Sequence, residues 1–229
     1  YRVAEVDYDI IHFQHKPVAE RILNMYPELD KICSIHSEVI SLEDPVMDPT
    51  IKKYIAIRPE IKEHMVNKFE IPEEMIDIIY NPVDNEKFKS KNTSEENYVL
   101  FVGTIDYLRK ETILELIEYT REIGKELWLV GENNGNYLEN ILLEDHVKHF
   151  PSTWKVEDLI LKSYETAGIQ LGRTTIESWM CGKSSWIYKV DSNGFIISKE
   201  KHDPPSDIEK YHTMNVAQQI KNEYLKILS

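Results

Sequence analysis

The densest chemistry in the sequence lies in Gly168-Ile169-Gln170-Leu171-Gly172-Arg173-Thr174-Thr175-Ile176-Glu177-Ser178-Trp179-Met180-Cys181-Gly182. A glycine-containing loop runs into a short helix that Gly182 can stop. Beyond it, Ser184-Ser185-Trp186-Ile187-Tyr188 has the aromatic and β-branched content of a strand. Backbone N–H groups at a helix start lack intrahelical partners, and the helix dipole favours an anion there. Gly172 lets an anion approach the backbone closely, and Arg173 brings a fork of donors matched to phosphate oxygens, with Thr174 and Thr175 at the same helix start. Glu177 lies within reach of a sugar hydroxyl beside such an anion. The same residues also spell a capping box, in which Glu177 reaches back to the Thr174 N–H.

A second loop of this kind is Gly103-Thr104-Ile105-Asp106-Tyr107-Leu108-Arg109-Lys110, between a strand and a helix. Two adjacent cations at a strand's carboxyl end suit a diphosphate, and a basic pair there opposes the helix dipole, a local misfit that points to a functional role. Gly131-Glu132-Asn133-Asn134-Gly135 is a third loop able to expose backbone donors. In the first half, His12, Gln14, His15, His36 and Arg58 fall at or just beyond strand ends. Three of these are histidines, but their spacing fits no standard zinc motif and no cysteine or paired carboxylates join them.

The elements that must position these residues alternate. Strands are expected at Tyr8–Phe13, Ile32–His36, Tyr54–Ile57 and Met75–Tyr80, with helices from Pro17 to Leu23 and from Pro59 to Phe69, and a turn at Asn81-Pro82-Val83-Asp84. The polar run Lys89–Asn97 is the expected domain boundary, giving domains at 1–90 and 97–229. The alternation then restarts: strands at Tyr98–Val102, Glu126–Val130, Val147–Phe150 and Ala167–Gln170. Helices follow from Glu111 to Gly124, with Ile113, Leu114, Leu116 and Ile117 toward the sheet, and from Val156 to Tyr164. Lys201–Ser206 reads as surface loop and Asn215–Leu228 as an amphipathic helix. Alternating strands and helices imply βαβ units and parallel sheets, which bind ligands at the carboxyl ends of their strands.

The 229 residues suffice for one large domain or two modest ones. A formal net charge of −13 argues against general nucleic-acid binding, leaving room for a local basic pocket. No run approaches the length of a membrane span, no signal peptide is present, and no basic amphipathic helix suggests a membrane surface as partner. The two cysteines, Cys33 and Cys181, lie far apart and read as reduced and buried, as in a cytoplasmic protein. The chain begins at Tyr1 close to an apolar run, as a fragment begins.

With these residues in view, the sequence resembles the retaining, GT-B-fold glycosyltransferases of family 4 and its relatives, which use nucleotide-sugar donors. Three blocks carry the likeness. Asp9-Ile10-Ile11-His12-Phe13-Gln14-His15 is similar to that family's strand ending in His-x-His. Ile78-Ile79-Tyr80-Asn81-Pro82-Val83-Asp84, with Phe88, is similar to its crossover into the second domain. The third block runs from Phe101-Val102-Gly103 through Arg109-Lys110 and Leu129-Val130-Gly131-Glu132 to Gly172-Arg173-Thr174-Thr175-Ile176-Glu177 and Cys181-Gly182.

The resemblance implies an α/β, GT-B-like fold of two Rossmann-like domains, the N-terminal one incomplete. It implies a metal-independent transferase of the hexosyltransferase kind that needs no cofactor beyond its nucleotide-diphosphate sugar. Gly103 and Lys110 would face the donor diphosphate, with Thr104 and Arg109 beside them. Arg173 and Thr174 would hold the distal phosphate and sugar at the helix start formed by Gly172 and Thr175. Glu177 would accept from the ribose, and the base would lie near Glu132 and His149-Phe150-Pro151-Ser152. Lys110, Arg173 and His15 form the implied catalytic set.

The departures are specific. The first glutamate of the family's Glu-x7-Glu motif is Ile169, with Glu165 out of register; the arginine after Gly103 is Thr104; and the second histidine is Gln14, with His15 one residue late. They support an alternative, a non-catalytic or incomplete nucleotide-sugar-binding module that works with a partner chain or a missing N-terminal segment. A sugar-nucleotide epimerase is disfavoured by the lack of carboxylates in matching places.

Overall fold

The computed structural model describes residues 7–37, 43–90, 96–135, 137, 139 and 144–229. The chain forms two compact units, Tyr1–Pro82 with Met214–Ser229, and Val83–Thr213.

The first unit contains β1 (Ile11–Gln14), α1 (Lys16–Met25), β2 (Lys31–Ile35), β3 (Ile51–Ala56), α2 (Pro59–Phe69) and β4 (Ile76–Ile78). Nearly all of α6 (Thr213–Leu228) belongs to it as well. The strands pair in parallel in the order β1-β2-β3-β4. β2 is buried along its whole length, as a strand covered on both faces is. Cys33, Ile35, Tyr54 and Ala56 pack with Ala19 of α1 and with Ile61 and Met65 of α2. The alternate residues Ile32 and Ile55 pack with Val216 of α6. α2 starts with Pro59 at its first position, where proline's missing N–H costs nothing, and gives way to Glu70 in the left-handed region.

The second unit contains β5 (Tyr98–Val102), α3 (Lys110–Glu122), β6 (Glu126–Val130), β7 (Val147–Phe150), α4 (Val156–Lys162), β8 (Glu165–Ile169), α5 (Arg173–Met180), β9 (Ser185–Val190) and β10 (Ile196–His202). The strand order is β10-β9-β8-β5-β6-β7, parallel throughout except for β10. From β5 the chain builds outward through β6 and β7, then crosses back to β8 and builds the other way. The reversal between β5 and β8 opens a crevice at their carboxyl ends, where α/β sheets take ligands.

Several expectations need correction. The division falls at Pro82/Val83, ahead of the polar run 89–97, and the C-terminal helix packs with the first unit rather than the second. Residues 91–95 of that run lie outside the described residues. Lys201 and His202 close β10, a lysine-bearing edge strand, where a surface loop was expected. Leu114 is partly exposed, while Ile113, Leu116 and Ile117 are buried as expected. Neither cysteine is in a disulfide and both are buried, which pushes the Cys33 thiol up. No helix of the described residues is long and apolar enough to cross a membrane.

Glu165, 1 % exposed at the start of β8, accepts hydrogen bonds from Tyr119 Oη at 2.6 Å and Trp186 Nε1 at 3.0 Å and pairs with Lys201. A buried carboxylate needs such donors. Tyr119→Phe removes one of them and is expected to cost about 1.5 kcal/mol in urea unfolding; an unchanged midpoint would show that the other two suffice.

Candidate functional site

α5 begins one residue after Gly172, whose backbone is extended and whose helix start has no side-chain cap. A Cβ at Gly172 would meet only Ile169 O, at 3.8 Å, so packing inside the protein does not require glycine there. Gly172 thus leaves the first N–H groups of α5 accessible to a ligand. The preceding turn is set by Gln170, a non-glycine residue at φ 55°. Its N–H donates to Tyr188 O at 2.8 Å, its carbonyl accepts from Gly172 N at 2.9 Å, and its Nε2 donates to Val190 O at 3.3 Å. Such left-handed strain persists only where surroundings fix it, and it collects at functional sites. Nothing in the sequence marks Gln170 for this role.

The expected capping box is absent. The helix starts at Arg173, which places Glu177 in its second turn, and Glu177 Oε1 accepts from Arg173 Nε at 2.8 Å instead. The pair is asymmetric: the Arg173 side chain is 65 % exposed and that of Glu177 is 8 %. Burial raises the Glu177 carboxyl above its ordinary range, against the opposing pull of Arg173 and Lys87. Thr175 is buried against the sheet side of the helix, and Thr174 is half-buried.

Across the crevice, the loops after β5 and β6 are tied together. Gly103 N donates to Val130 O at 2.9 Å, Ile105 N to Glu132 O at 2.7 Å, and Asn134 N to Ile105 O at 2.9 Å. Gly131 has φ 153°, and a Cβ there would lie 2.0 Å from Gly103 O, so this approach demands glycine. His149 Nε2 lies 2.8 Å from Gly131 O and anchors the same loop. Glu132 is exposed, Gly103 and Thr104 half-buried.

The two cations that follow differ sharply. Arg109 ion-pairs with Asp106, which also accepts from Leu108 N at 3.1 Å. Lys110, the first residue of α3, has a side chain 48 % exposed and meets Glu111 only at 4.0 Å. Lys87 was not anticipated. Asp84 Oδ1 accepts from Glu86 N at 3.0 Å and Lys87 N at 3.1 Å, forming a turn that aims Lys87 at Glu157, 3.2 Å away.

In the first unit, His15 caps α1 at φ 68° and places Nδ1 3.2 Å from Glu43 Oε1. Glu43, 4 % exposed, also accepts from His36 N at 2.7 Å, and the His15 and His36 rings stand 5.5 Å apart. Burial lowers the His36 pKa, opposed by Glu43 and reinforced by His15 and Arg58. His12 is occupied elsewhere, bonded to Tyr224 Oη and Ser34 Oγ at 2.7 Å each. Among the described residues, no group of three or more His, Cys, Asp or Glu side chains is placed to hold a metal ion. Glu165 does not stand in for the missing carboxylate at Ile169, since it lies at the opposite end of β8 in its own network.

No protein-family model and no curated protein sequence matches the chain. Solved structures do. AviGT4, a glycosyltransferase involved in avilamycin A biosynthesis, matches with TM-score 0.69 and 15% identity over 98% of this chain and 75% of its own. Anabaena HepE, solved in complex with UDP-glucose, matches with TM-score 0.61 and 16% identity over 82% of this chain and 61% of its own. A glycosyltransferase from Rickettsia africae matches with TM-score 0.57 and 14% identity over 82% and 59%. The chain therefore spans about 61% of the length of HepE. Its fold, α/β with parallel sheets, is that of the GT-B glycosyltransferases.

Proposed function

We propose that this chain binds a nucleotide-diphosphate sugar at the carboxyl ends of β5 and β8 and transfers the sugar to an acceptor with retention of anomeric configuration. One observation carries the reading. At the switch point of the sheet, an uncapped helix start, a glycine that packing does not require, an exposed Arg173 and a buried Glu177 coincide. The UDP-glucose bound by HepE supports a nucleotide sugar as the ligand.

In this reading Arg173 turns from Glu177 to the distal phosphate. An exposed guanidinium gives up such a pair at little cost. Glu177 then accepts from the ribose hydroxyls. Lys110, Arg173 and the α5 N–H groups stabilise the charge that develops on the leaving diphosphate. These cations serve in place of a metal, and no cofactor enters. His15, oriented by Glu43, is the proposed catalytic residue of the first unit. The buried cysteines without a disulfide fit a cytoplasmic protein, and the net charge of −13 fits no nucleic-acid partner.

Ile169 at the end of β8 and Thr104 after β5 favour a second reading, a nucleotide-sugar-binding module completed by another polypeptide. Calorimetric titration with UDP, GDP and their sugar conjugates, first without metal and then with Mg²⁺, tests both. Metal-independent binding of one nucleotide, weakened about tenfold or more in Arg173→Ala, is expected from the loss of a charge-assisted hydrogen bond. No binding by any of them would overturn the donor site. Hydrolysis of the bound donor without acceptor would favour the transferase over the module.

A further inference from the structure

The crevice lies between strands whose connections run apart: from β5 the chain builds towards β6, and from β8 towards β9. The two loops assigned to the diphosphate therefore have no connection in common. A third segment touches both. β9 runs parallel to β8 and leaves the same end of the sheet into the turn 191–195, which leads back into β10. On one side, the carbonyl of Val190, the residue before this turn, accepts from Gln170 Nε2 at 3.3 Å, and Gln170 sets the turn into Gly172 and Arg173. On the other, Gly194 lies against the loop between Gly103 and Lys110. It is buried, its φ is 87°, and a Cβ there would stand 2.7 Å from Tyr107 O and 2.9 Å from Leu108 Cα. Both are backbone atoms, so the position demands glycine by conformation and by space. The turn itself is well tied. Asp191 Oδ1 accepts from Asn193 N and Phe195 N at 2.9 Å each, Asp191 N donates to Phe195 O at 3.0 Å, and Gly194 N donates to Asp191 O at 3.1 Å.

We propose that the turn 191–195 is a brace that fixes the spacing of the two loops assigned to the diphosphate, with Asp191 and Gly194 as its positioning residues. The inference rests on the donor-site reading above, and neither residue is assigned a contact with the ligand. A diphosphate bridging two loops binds best when their separation is set before it arrives, because less ordering then falls on the binding step. A side chain at Gly194 forces the turn and the Tyr107–Leu108 backbone apart. Whichever moves, one end of the brace is lost: Lys110 shifts with its loop, or Val190 draws away from Gln170 and loosens the α5 start.

The test is calorimetric titration of the full chain with UDP and with GDP, with urea unfolding of each variant beside it. For the nucleotide that the wild type binds, Gly194→Ala and Asp191→Ala are each expected to weaken binding about tenfold, as misplaced binding groups do. Asp191→Asn keeps an oxygen that accepts from Asn193 N and Phe195 N, and is expected to hold affinity within about threefold of the wild type. Gly124→Ala is the control. At Gly124 φ is 65° and nothing lies within 4 Å of an added Cβ, so the variant carries the backbone strain without the contact and leaves affinity unchanged. Unchanged affinity in Gly194→Ala or in Asp191→Ala overturns the brace and leaves the donor site standing. An equal loss in Asp191→Asn and Asp191→Ala, or in Gly124→Ala and Gly194→Ala, does the same, since general destabilisation then accounts for it. If Gly194→Ala does not fold, the two Asp191 variants decide alone. A wild type that binds neither nucleotide overturns the donor site and the brace with it.

Discussion

Replacing Glu177 by alanine is expected to weaken binding of the nucleoside diphosphate about a hundredfold, with a much smaller change in stability. A carboxylate that accepts from two ribose hydroxyls contributes two charge-assisted hydrogen bonds, together about 3 kcal/mol. Its structural contribution is slight, because its observed partner, Arg173, is largely exposed and is rehydrated when the pair is lost. Titration calorimetry and urea unfolding on the same variant separate the two. If affinity is untouched and only the unfolding midpoint moves, Glu177 is a structural residue and the ribose assignment fails.

The pH dependence sharpens the test, since burial raises the Glu177 carboxyl above its unfolded value. The folded chain then holds the proton more tightly than the unfolded one. Stability contributed by this group therefore falls as pH rises from the unfolded value, about 4.3, through the raised folded one. Ribose hydroxyls bond best to the ionised form, so nucleotide affinity rises across the same window. The donor phosphates also titrate nearby, but they do so equally in Glu177→Gln. The difference between wild type and Glu177→Gln is thus expected to grow with pH in binding and to shrink the wild type's relative stability. Parallel pH profiles would show that the carboxylate does not meet the ligand.

The parts of this arrangement that were legible in the sequence are those written locally. A glycine and an arginine at a helix start could be read by type and spacing alone, and Gly172 and Arg173 do stand at the start of α5. The alternation of strands and helices likewise announced parallel sheets. The capping box failed because it depends on which residue begins the helix, and helix boundaries read from sequence drift by more than a residue. Arg173 is already helical, so Glu177 sits a turn too far along to reach back. β10 was hidden by Ser198-Lys199-Glu200-Lys201, since charges that protect a sheet edge look like those of a loop. Gln170, Lys87 and Glu43 act through partners distant in the chain, which no local pattern encodes. The same holds for α6: its apolar stripe was plain, but which sheet it covers is decided by tertiary packing with Ile32 and Ile55.

The contrast between Arg109 and Lys110 leads to the largest expected effect. From the sequence they form one basic pair. In the structure Arg109 is neutralised by Asp106, whereas Lys110 stays half-exposed at the first position of α3, at the end of the loop that leaves Gly103. In the proposed complex a cation there gains most when negative charge moves onto the leaving diphosphate, because Arg173 and the α5 N–H groups are assigned the charge of the bound donor. Lys110→Ala is therefore expected to slow donor hydrolysis or transfer by about 10² to 10³-fold, the range seen when one preorganised donor to developing charge is removed. The dissociation constant for the nucleotide sugar should change less than about threefold, since an interaction made only in the transition state leaves ground-state binding alone. Arg109→Ala should show the reverse, a small rate effect with a loss of stability as Asp106 loses its partner. Single-turnover kinetics on both variants, beside equilibrium titration, decides the matter. If Lys110→Ala weakens binding as much as it slows the reaction, Lys110 holds the donor in the ground state and the charge developing on the diphosphate is met by Arg173 and the helix start alone.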